Sequence, residues 1–175
     1  MKLLVKLLII LGIACYALGI YLIWQRNNPS IPPLGYNESY SDINISNPPV
    51  RITIKKVGID LPIYPAKTNN GKLETTTKGA SYVPASPLPG EVGNSIIYAH
   101  DWVSLFGPLL EVHPGDKIEV EYADKTKKHF IVQSTSVVPY STSSSLSPTS
   151  DKRITLYTCT GFFDSKRFVV VALLS

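Results

Sequence analysis

The sequence predicts an all-β domain, a closed or nearly closed barrel of about eight short strands with short helices, carried behind one N-terminal transmembrane helix. Three observations point there. Short runs of alternating or continuous apolar residues, separated by Pro, Gly, Asn and Ser turns, follow one another from Val50 to Leu174. Little helical periodicity lies between them, which removes the βαβ architectures. The longest uncharged apolar stretch is Leu7 to Trp24, eighteen residues, enough to cross a bilayer as a helix.

Lys2 and Lys6 precede this stretch, Arg26 follows it, and Tyr21 and Trp24 lie at its far end, where amphipathic rings favour an interface. A cleaved signal peptide is the rival reading. The apolar run exceeds a usual signal core, and Gln25 to Asn28 offers no small-residue cleavage pattern. The expectation is an uncleaved anchor over residues 1–26, with the N-terminus inside, the bulk of the chain outside the membrane, and Cys15 an ordinary residue of the span. Residues 27–49, rich in Asn, Ser and Pro, read as a semi-extended linker. The barrel is expected over residues 50–175, with no second membrane segment after it.

Within the barrel, Arg51 to Lys55 alternates at period two. Ile59 to Tyr64 is a second strand, with Pro62 marking an edge or a bulge. Thr68 to Gly71 is a turn and Pro84 to Gly93 a long Pro/Gly loop. Asn94 to His100 reads as a buried strand ending in a histidine, and Ser104 to Val112 as one or two helical turns closed by Pro114-Gly115. Lys117 to Tyr122 alternates cleanly, and His129 to Val138 is its partner across a turn. Ser141 to Ser150 is a Ser/Thr-rich loop. The chain finishes with two strands around Arg153 to Val170.

Composition excludes some functions. The 175 residues are 44% hydrophobic and 17% charged, with formal net charge +4, which gives no reason to expect nucleic-acid binding. There are two cysteines, Cys15 and Cys159. The barrel therefore has one thiol and no internal disulfide, and a structural zinc site is not expected without a Cys-x-x-Cys or His-x-His pair. No cofactor or metal is expected, and the sequence carries no expectation either way about calcium.

A lone thiol where a strand ends is either a small buried apolar residue or a displayed nucleophile. Three histidines could partner Cys159. His129 lies beside Lys127 and Lys128 in an alternating strand, and His113 precedes Pro-Gly in a turn. His100 ends an apolar strand, where a side chain is delivered to a barrel rim. A Cys–His pair supplies a nucleophile and an acid/base, and a nearby arginine can bind an oxyanion or a carbonyl. Arg167, at the start of the last strand, is that candidate.

These residues also carry a family resemblance. Thr155-Leu156-Tyr157-Thr158-Cys159 followed by Arg167 resembles the Thr-Leu-x-Thr-Cys…Arg signature of sortases. Pro89-Gly90-Glu91-Val92-Gly93-Asn94, leading to His100, resembles the segment before that family's histidine. Arg51 to Ile54, Ile59 to Ile63 and Gly115 to Val120 resemble its earlier strands, so the likeness spans about Val50 to Leu174. It implies an eight-stranded sortase barrel on a membrane anchor. It also implies a cysteine transpeptidase that cleaves a Leu-Pro-x-Thr-Gly-like signal between Thr and Gly and transfers the protein to a cell-wall amine. Its partners would be sorting-signal-bearing surface proteins and an amine from a peptidoglycan precursor. The implied roles are Cys159 as nucleophile, His100 as acid/base and Arg167 as carbonyl or oxyanion ligand. Thr158, Thr160 and Tyr98 would line the substrate or oxyanion site. Ala99 stands where many members have Gly before the histidine. Rival readings are a pilus-polymerising member, an L,D-transpeptidase-like wall enzyme, from which Thr158 departs because that class expects Gly before the cysteine, and a non-catalytic tethered binding domain.

Overall fold

The computed structural model describes residues 2–26, 46–69, 72–140, 142 and 144–175. Its first element is α1 (Lys2–Arg26). The window Leu4–Trp24 is long and apolar enough to cross a membrane, and none of it is buried against protein. At the helical rise these 21 residues span about 31 Å, the thickness of a hydrocarbon core. Most of the expected linker, residues 27–45, lies outside the described residues, and its last residue, Pro49, already belongs to the first strand.

The strands are β1 (Pro49–Ile54), β2 (Ile59–Pro65), β3 (Thr68–Asn69), β4 (Lys72–Leu73), β5 (Ala80–Tyr82), β6 (Gly93–Tyr98), β7 (Lys117–Tyr122), β8 (Lys127–Pro139), β9 (Lys152–Thr160) and β10 (Lys166–Leu174). Eight of them close a barrel in the order β1-β2-β5-β6-β9-β10-β8-β7, and β7 pairs back onto β1. The two-residue strands β3 and β4 form a separate hairpin. All barrel pairings are antiparallel except β2–β5 and β6–β9. The parallel β6–β9 pair matters most for the site, because both strands finish at the same rim.

Two apolar clusters hold this arrangement. The larger draws on all eight strands and fills the barrel, with Ile52, Phe130, Ile154 and Leu156 wholly buried. Burying each such side chain is worth about 1.5–3 kcal/mol. The smaller lies on the opposite face of β6, β9 and β10 and contains Ile96, Tyr98, Tyr157, Cys159 and Val169, with Leu73 and Leu146 packed over them. β9 is thus buried on both faces, which is why Ile154 to Cys159 lacks the polar alternation of a half-exposed strand.

Several sequence expectations change. The strand β5 falls in a stretch to which the sequence assigns no element, since three residues are too few to display a period. Pro62 marks no bulge, since it sits in regular register opposite Arg51, but it does mark a local edge, because pairing on its other side begins only at Ile63. Gly79 fits here because a Cβ would strike the Pro62 carbonyl. The expected helical turns over 104–112 are a 3-10 helix, Gly107–Glu111. The Ser/Thr loop contains a 3-10 turn at Ser144–Leu146, while Ser141 and Ser143 lie outside the described residues. The tip of the expected turn at 68–71, Asn70 and Gly71, does so too.

Candidate active site

Strand register assembles the site. In the parallel β6–β9 pair Tyr98 lies opposite Tyr157. Beyond the end of β6 the alignment continues: Ala99 N–H donates to the Tyr157 carbonyl at 3.4 Å, and Thr158 Oγ1 donates to the Ala99 carbonyl at 2.9 Å. One residue further, His100 comes level with Cys159. On the other side Cys159 lies directly opposite Arg167 in the β9–β10 pair. Histidine, thiol and guanidinium therefore form one row across three neighbouring strands, about 5 Å between backbones.

All three are buried: His100 is 5% exposed, Cys159 6% and Arg167 3%. The His100 ring stacks on Trp102, centroids 4.8 Å apart and planes 12° from parallel. The loop behind it folds back tightly, with Phe106 N–H on the His100 carbonyl at 3.0 Å and Gly107 N–H on the Trp102 carbonyl at 2.9 Å. A Cβ at Gly107 would meet the Asp101 and Trp102 carbonyls, so the chain can pass only without a side chain there. Arg167 donates from one terminal nitrogen to the carbonyls of Asp164 and Lys166, at 2.8 and 2.9 Å. Its Nε and the Nε2 of His100 are buried with no hydrogen-bond partner among the described residues. Buried polar nitrogens left open at one place are what a ligand oxygen or a reacting group would satisfy.

Burial dominates the ionisation. It pushes the Cys159 thiol up to about 11, against the Arg167 charge, which lowers it, and with Asp164 and Asp101, which raise it. Burial also lowers His100, opposed by Asp101 and Asp164. The resting pair is a neutral thiol beside a neutral imidazole.

The remaining expected site residues are placed as follows. Thr160 lines a cleft beside Cys159. Thr158 points the other way, wholly buried, with its hydroxyl committed to Ala99; alternation along the strand puts it on the face opposite Cys159. Tyr98 lies under the site, stacked on Tyr157 at 5.1 Å with its hydroxyl donating to the Glu74 carbonyl at 2.8 Å, so its contact with a substrate would be indirect. His113 is exposed, its Nδ1 2.7 Å from the Glu111 carbonyl, and His129 is exposed 3.7 Å from Glu119. Lys166 is exposed where its neighbour Arg167 is buried. Among the described residues no three His, Cys, Asp or Glu side chains converge to hold a metal ion.

Two positioning features escaped the sequence reading. Trp102 read only as part of a polar loop. Asn94 read as part of a motif without a role, yet its side-chain amide donates to the carbonyls of Ser145 and Ser147 at 3.0 and 3.3 Å and accepts from Thr155 Oγ1 at 2.7 Å. It pins the Ser/Thr loop over the second apolar cluster, where Leu146 packs. The preceding Pro-Gly is structural as well. Tyr122 Oη and Lys128 Nζ both donate to the Pro89 carbonyl, and Gly90, at φ +84°, lies where a Cβ would hit the Lys128 stem.

A closed barrel that presents a buried thiol between an imidazole and a guanidinium has the residue types that cysteine-based acyl chemistry requires. The Sortase domain model matches residues 52–175, and the chain belongs to the sortase family. Among solved structures, sortase A of Listeria monocytogenes is 29% identical, with TM-score 0.60 over 72% of this chain and 86% of that one. Sortase A of Corynebacterium diphtheriae is 22% identical, with TM-score 0.65 over 91% of this chain and 81% of that one. A Clostridium perfringens sortase D5 transpeptidase is 22% identical, with TM-score 0.62 over 73% of this chain and 79% of that one. A search of curated proteins returned no match to the chain.

Proposed function

We propose that this protein is a membrane-anchored cysteine transpeptidase that cleaves a Leu-Pro-x-Thr-Gly-like sorting signal between Thr and Gly and passes the acyl group to a cell-wall amine. The observation that carries the reading is the row His100–Cys159–Arg167, buried throughout, with Nε2 of one flank and Nε of the other lacking a hydrogen-bond partner among the described residues. Cys159 thiolate attacks the Thr carbonyl, and Arg167 donates to the oxygen as it gains charge. The C–N bond breaks as imidazolium His100 gives its proton to the departing glycine amine. A thioester and a neutral imidazole remain. The acceptor amine then attacks the thioester as it loses a proton to His100, the C–S bond breaks, and the thiolate–imidazolium pair is regenerated.

Thr158 acts in this scheme as a positioning residue, fixing the backbone ahead of His100 through Ala99, and Thr160 borders the substrate. Helix α1 is the anchor, with Lys2 and Lys6 favouring an N-terminus on the cytoplasmic side and the barrel outside. The Asn/Ser/Pro-rich segment ahead of β1 acts as the spacer between them. Family membership removes the L,D-transpeptidase alternative, and the intact row argues against a purely binding domain.

The test is mass spectrometry of the full chain in detergent after incubation with a sorting-signal peptide. A mass increase equal to the acyl fragment, reversed by hydroxylamine and absent in Cys159→Ala, is the expected result. Cleavage that persists in Cys159→Ala would overturn the reading.

A further inference from the structure

Strand β8 outgrows its neighbour. It runs from Lys127 to Pro139, but β7 pairs with it only as far as Lys117 opposite Ile131. Two further bonds finish that ladder, Gly115 N–H on the Val132 carbonyl at 2.8 Å and Val132 N–H on the Asp116 carbonyl at 3.0 Å. A register shift then skips Gln133, and from Ser134 to Pro139 the strand is paired to β10 alone.

Alternation shows which backbone groups this leaves open. In an antiparallel pair, successive residues turn their N–H and C=O by turns toward the partner and away from it. Tyr140 N–H donates to the Ser165 carbonyl at 3.2 Å, just past the pair Pro139–Lys166. Counting back, Val138, Ser136 and Ser134 face β10, whereas Thr135 and Val137 turn both groups outward. Pro139 falls in the outward set too, where its missing N–H breaks no ladder bond. Among the described residues no hydrogen bond reaches the outward groups of Thr135 and Val137.

An open edge is a template for another strand, and natural edges carry charge or proline against it. The run Gln133-Ser134-Thr135-Ser136-Val137-Val138 has neither, and Val137 is 54% exposed. The edge is also its own complement. About a two-fold axis at Ser136, Thr135 of one copy meets Val137 of the other, so each outward N–H finds an outward carbonyl. No like charges repel across that axis. Helix α1, long and apolar enough to cross a membrane, would hold copies in one plane and raise the concentration at which they meet.

We propose that the edge of β8 from Thr135 to Val137 is a homodimer interface, where two copies of this chain pair antiparallel about a two-fold axis at Ser136. The two barrels then share one sheet, β9-β10-β8 of one copy running into β8-β10-β9 of the other. Their Cys159 backbones lie roughly 25–30 Å apart by strand spacing and rise. The proposal does not depend on the transpeptidase reading.

Disulfide cross-linking in proteoliposomes tests it, with the full chain carrying Cys15→Ser and Cys159→Ser so that an introduced thiol is the only one. Ser136→Cys sets two thiols opposite each other in a non-hydrogen-bonded pair, where about 4.5 Å between Cα atoms suits a disulfide. Ser134→Cys sets them about 13 Å apart, too far to bridge. Mild oxidation is expected to join Ser136→Cys chains at least about tenfold faster than Ser134→Cys chains. Val137→Pro removes an outward N–H and leaves the β10 ladder whole, so it should slow the cross-link at least about fivefold with Tm unchanged. Val137→Lys, which brings ammonium groups together on a diagonal across the axis, should slow it as well. Should Val137→Pro lower Tm, Val137→Lys decides alone, being a change at an exposed side chain. No dimer from Ser136→Cys, equal rates at the two positions, or a cross-link indifferent to Val137→Lys would overturn the proposal.

Discussion

At Cys159 burial and charge act against each other, and the outcome sets how the site would work. The thiol titrates near 11 and His100 below its ordinary 6.5. The thiolate–imidazolium form is then held by fewer than about one molecule in ten thousand at neutral pH. The sign of the pH dependence follows. Below the histidine value, raising pH increases the thiolate fraction while the imidazole stays protonated, so kcat/KM rises. Between the two values the gain in thiolate cancels the loss of imidazolium and the rate is level. Near 11 it falls. A profile that peaks sharply near pH 7, or alkylation of Cys159 that titrates near 8, would contradict this. Arg167 contributes charge and shape separately. Arg167→Ala should raise the thiol further and cut kcat/KM by about 10²–10³-fold, whereas Arg167→Lys should restore the alkaline limb but not the rate. Trp102 stacks on the imidazole and is the one tryptophan outside the apolar helix. In a chain carrying Trp24→Phe its fluorescence should therefore titrate with His100, because a protonated imidazole quenches an indole that it touches. No change of emission between pH 4 and 8 would show that the stack does not sense the ring.

At the scale of elements, the loop between β8 and β9 shows how a polar stretch becomes a wall. Asn94, buried at the start of β6, uses its amide on two loop carbonyls and takes a hydroxyl from Thr155 on the neighbouring strand. Asn94→Leu would remove both amide bonds to the loop carbonyls and leave the Thr155 hydroxyl only its long 3.5 Å contact with the Ser145 carbonyl, at a cost of about 1–3 kcal/mol per buried group left unsatisfied. The expected result is a lower Tm together with a raised KM for the sorting peptide and a lesser effect on kcat, since Asn94 touches none of the three row residues. An unchanged KM in the folded variant would show that the loop does not border the donor peptide. The composition of residues 141–150 announced a loop. It could not announce the 3-10 turn at Ser144–Leu146, because the bonds that hold the loop come from a side chain about fifty residues away in sequence. The same limit hid β5. Its three residues take their strand geometry from parallel pairing to β2 and antiparallel pairing to β6, not from any period of their own.

For the whole molecule, closure is what brings distant residues together. The barrel has no free edge between β6 and β10, so the rung that ends at His100, Cys159 and Arg167 is fixed by ladder bonds on every side. The apolar helix contributes nothing to that core, being unburied along its span. A chain starting at residue 46 should therefore fold, remain in solution and cleave a short peptide with kcat/KM within about twofold of the full chain. The full chain should partition into membranes. Loss of peptide cleavage in the folded truncation would mean that residues 1–45 take part in the site.

The sequence by itself determined the β-rich character of the chain, the apolar helix ahead of it, and the three side chains that make up the row. Those follow from local periodicity, from length, and from residue types whose chemistry is narrow. Only the tertiary structure decided that His100, Cys159 and Arg167 come level in one row, that Thr158 faces the interior while Cys159 faces the cleft, and that Asn94 and Trp102 hold the surroundings. It also decided the cleft beside Cys159, which joins residues 101–111 to the end of β9. Each of these depends on strand register and on parity along a pleated strand, and register is set by pairing between segments far apart in the chain.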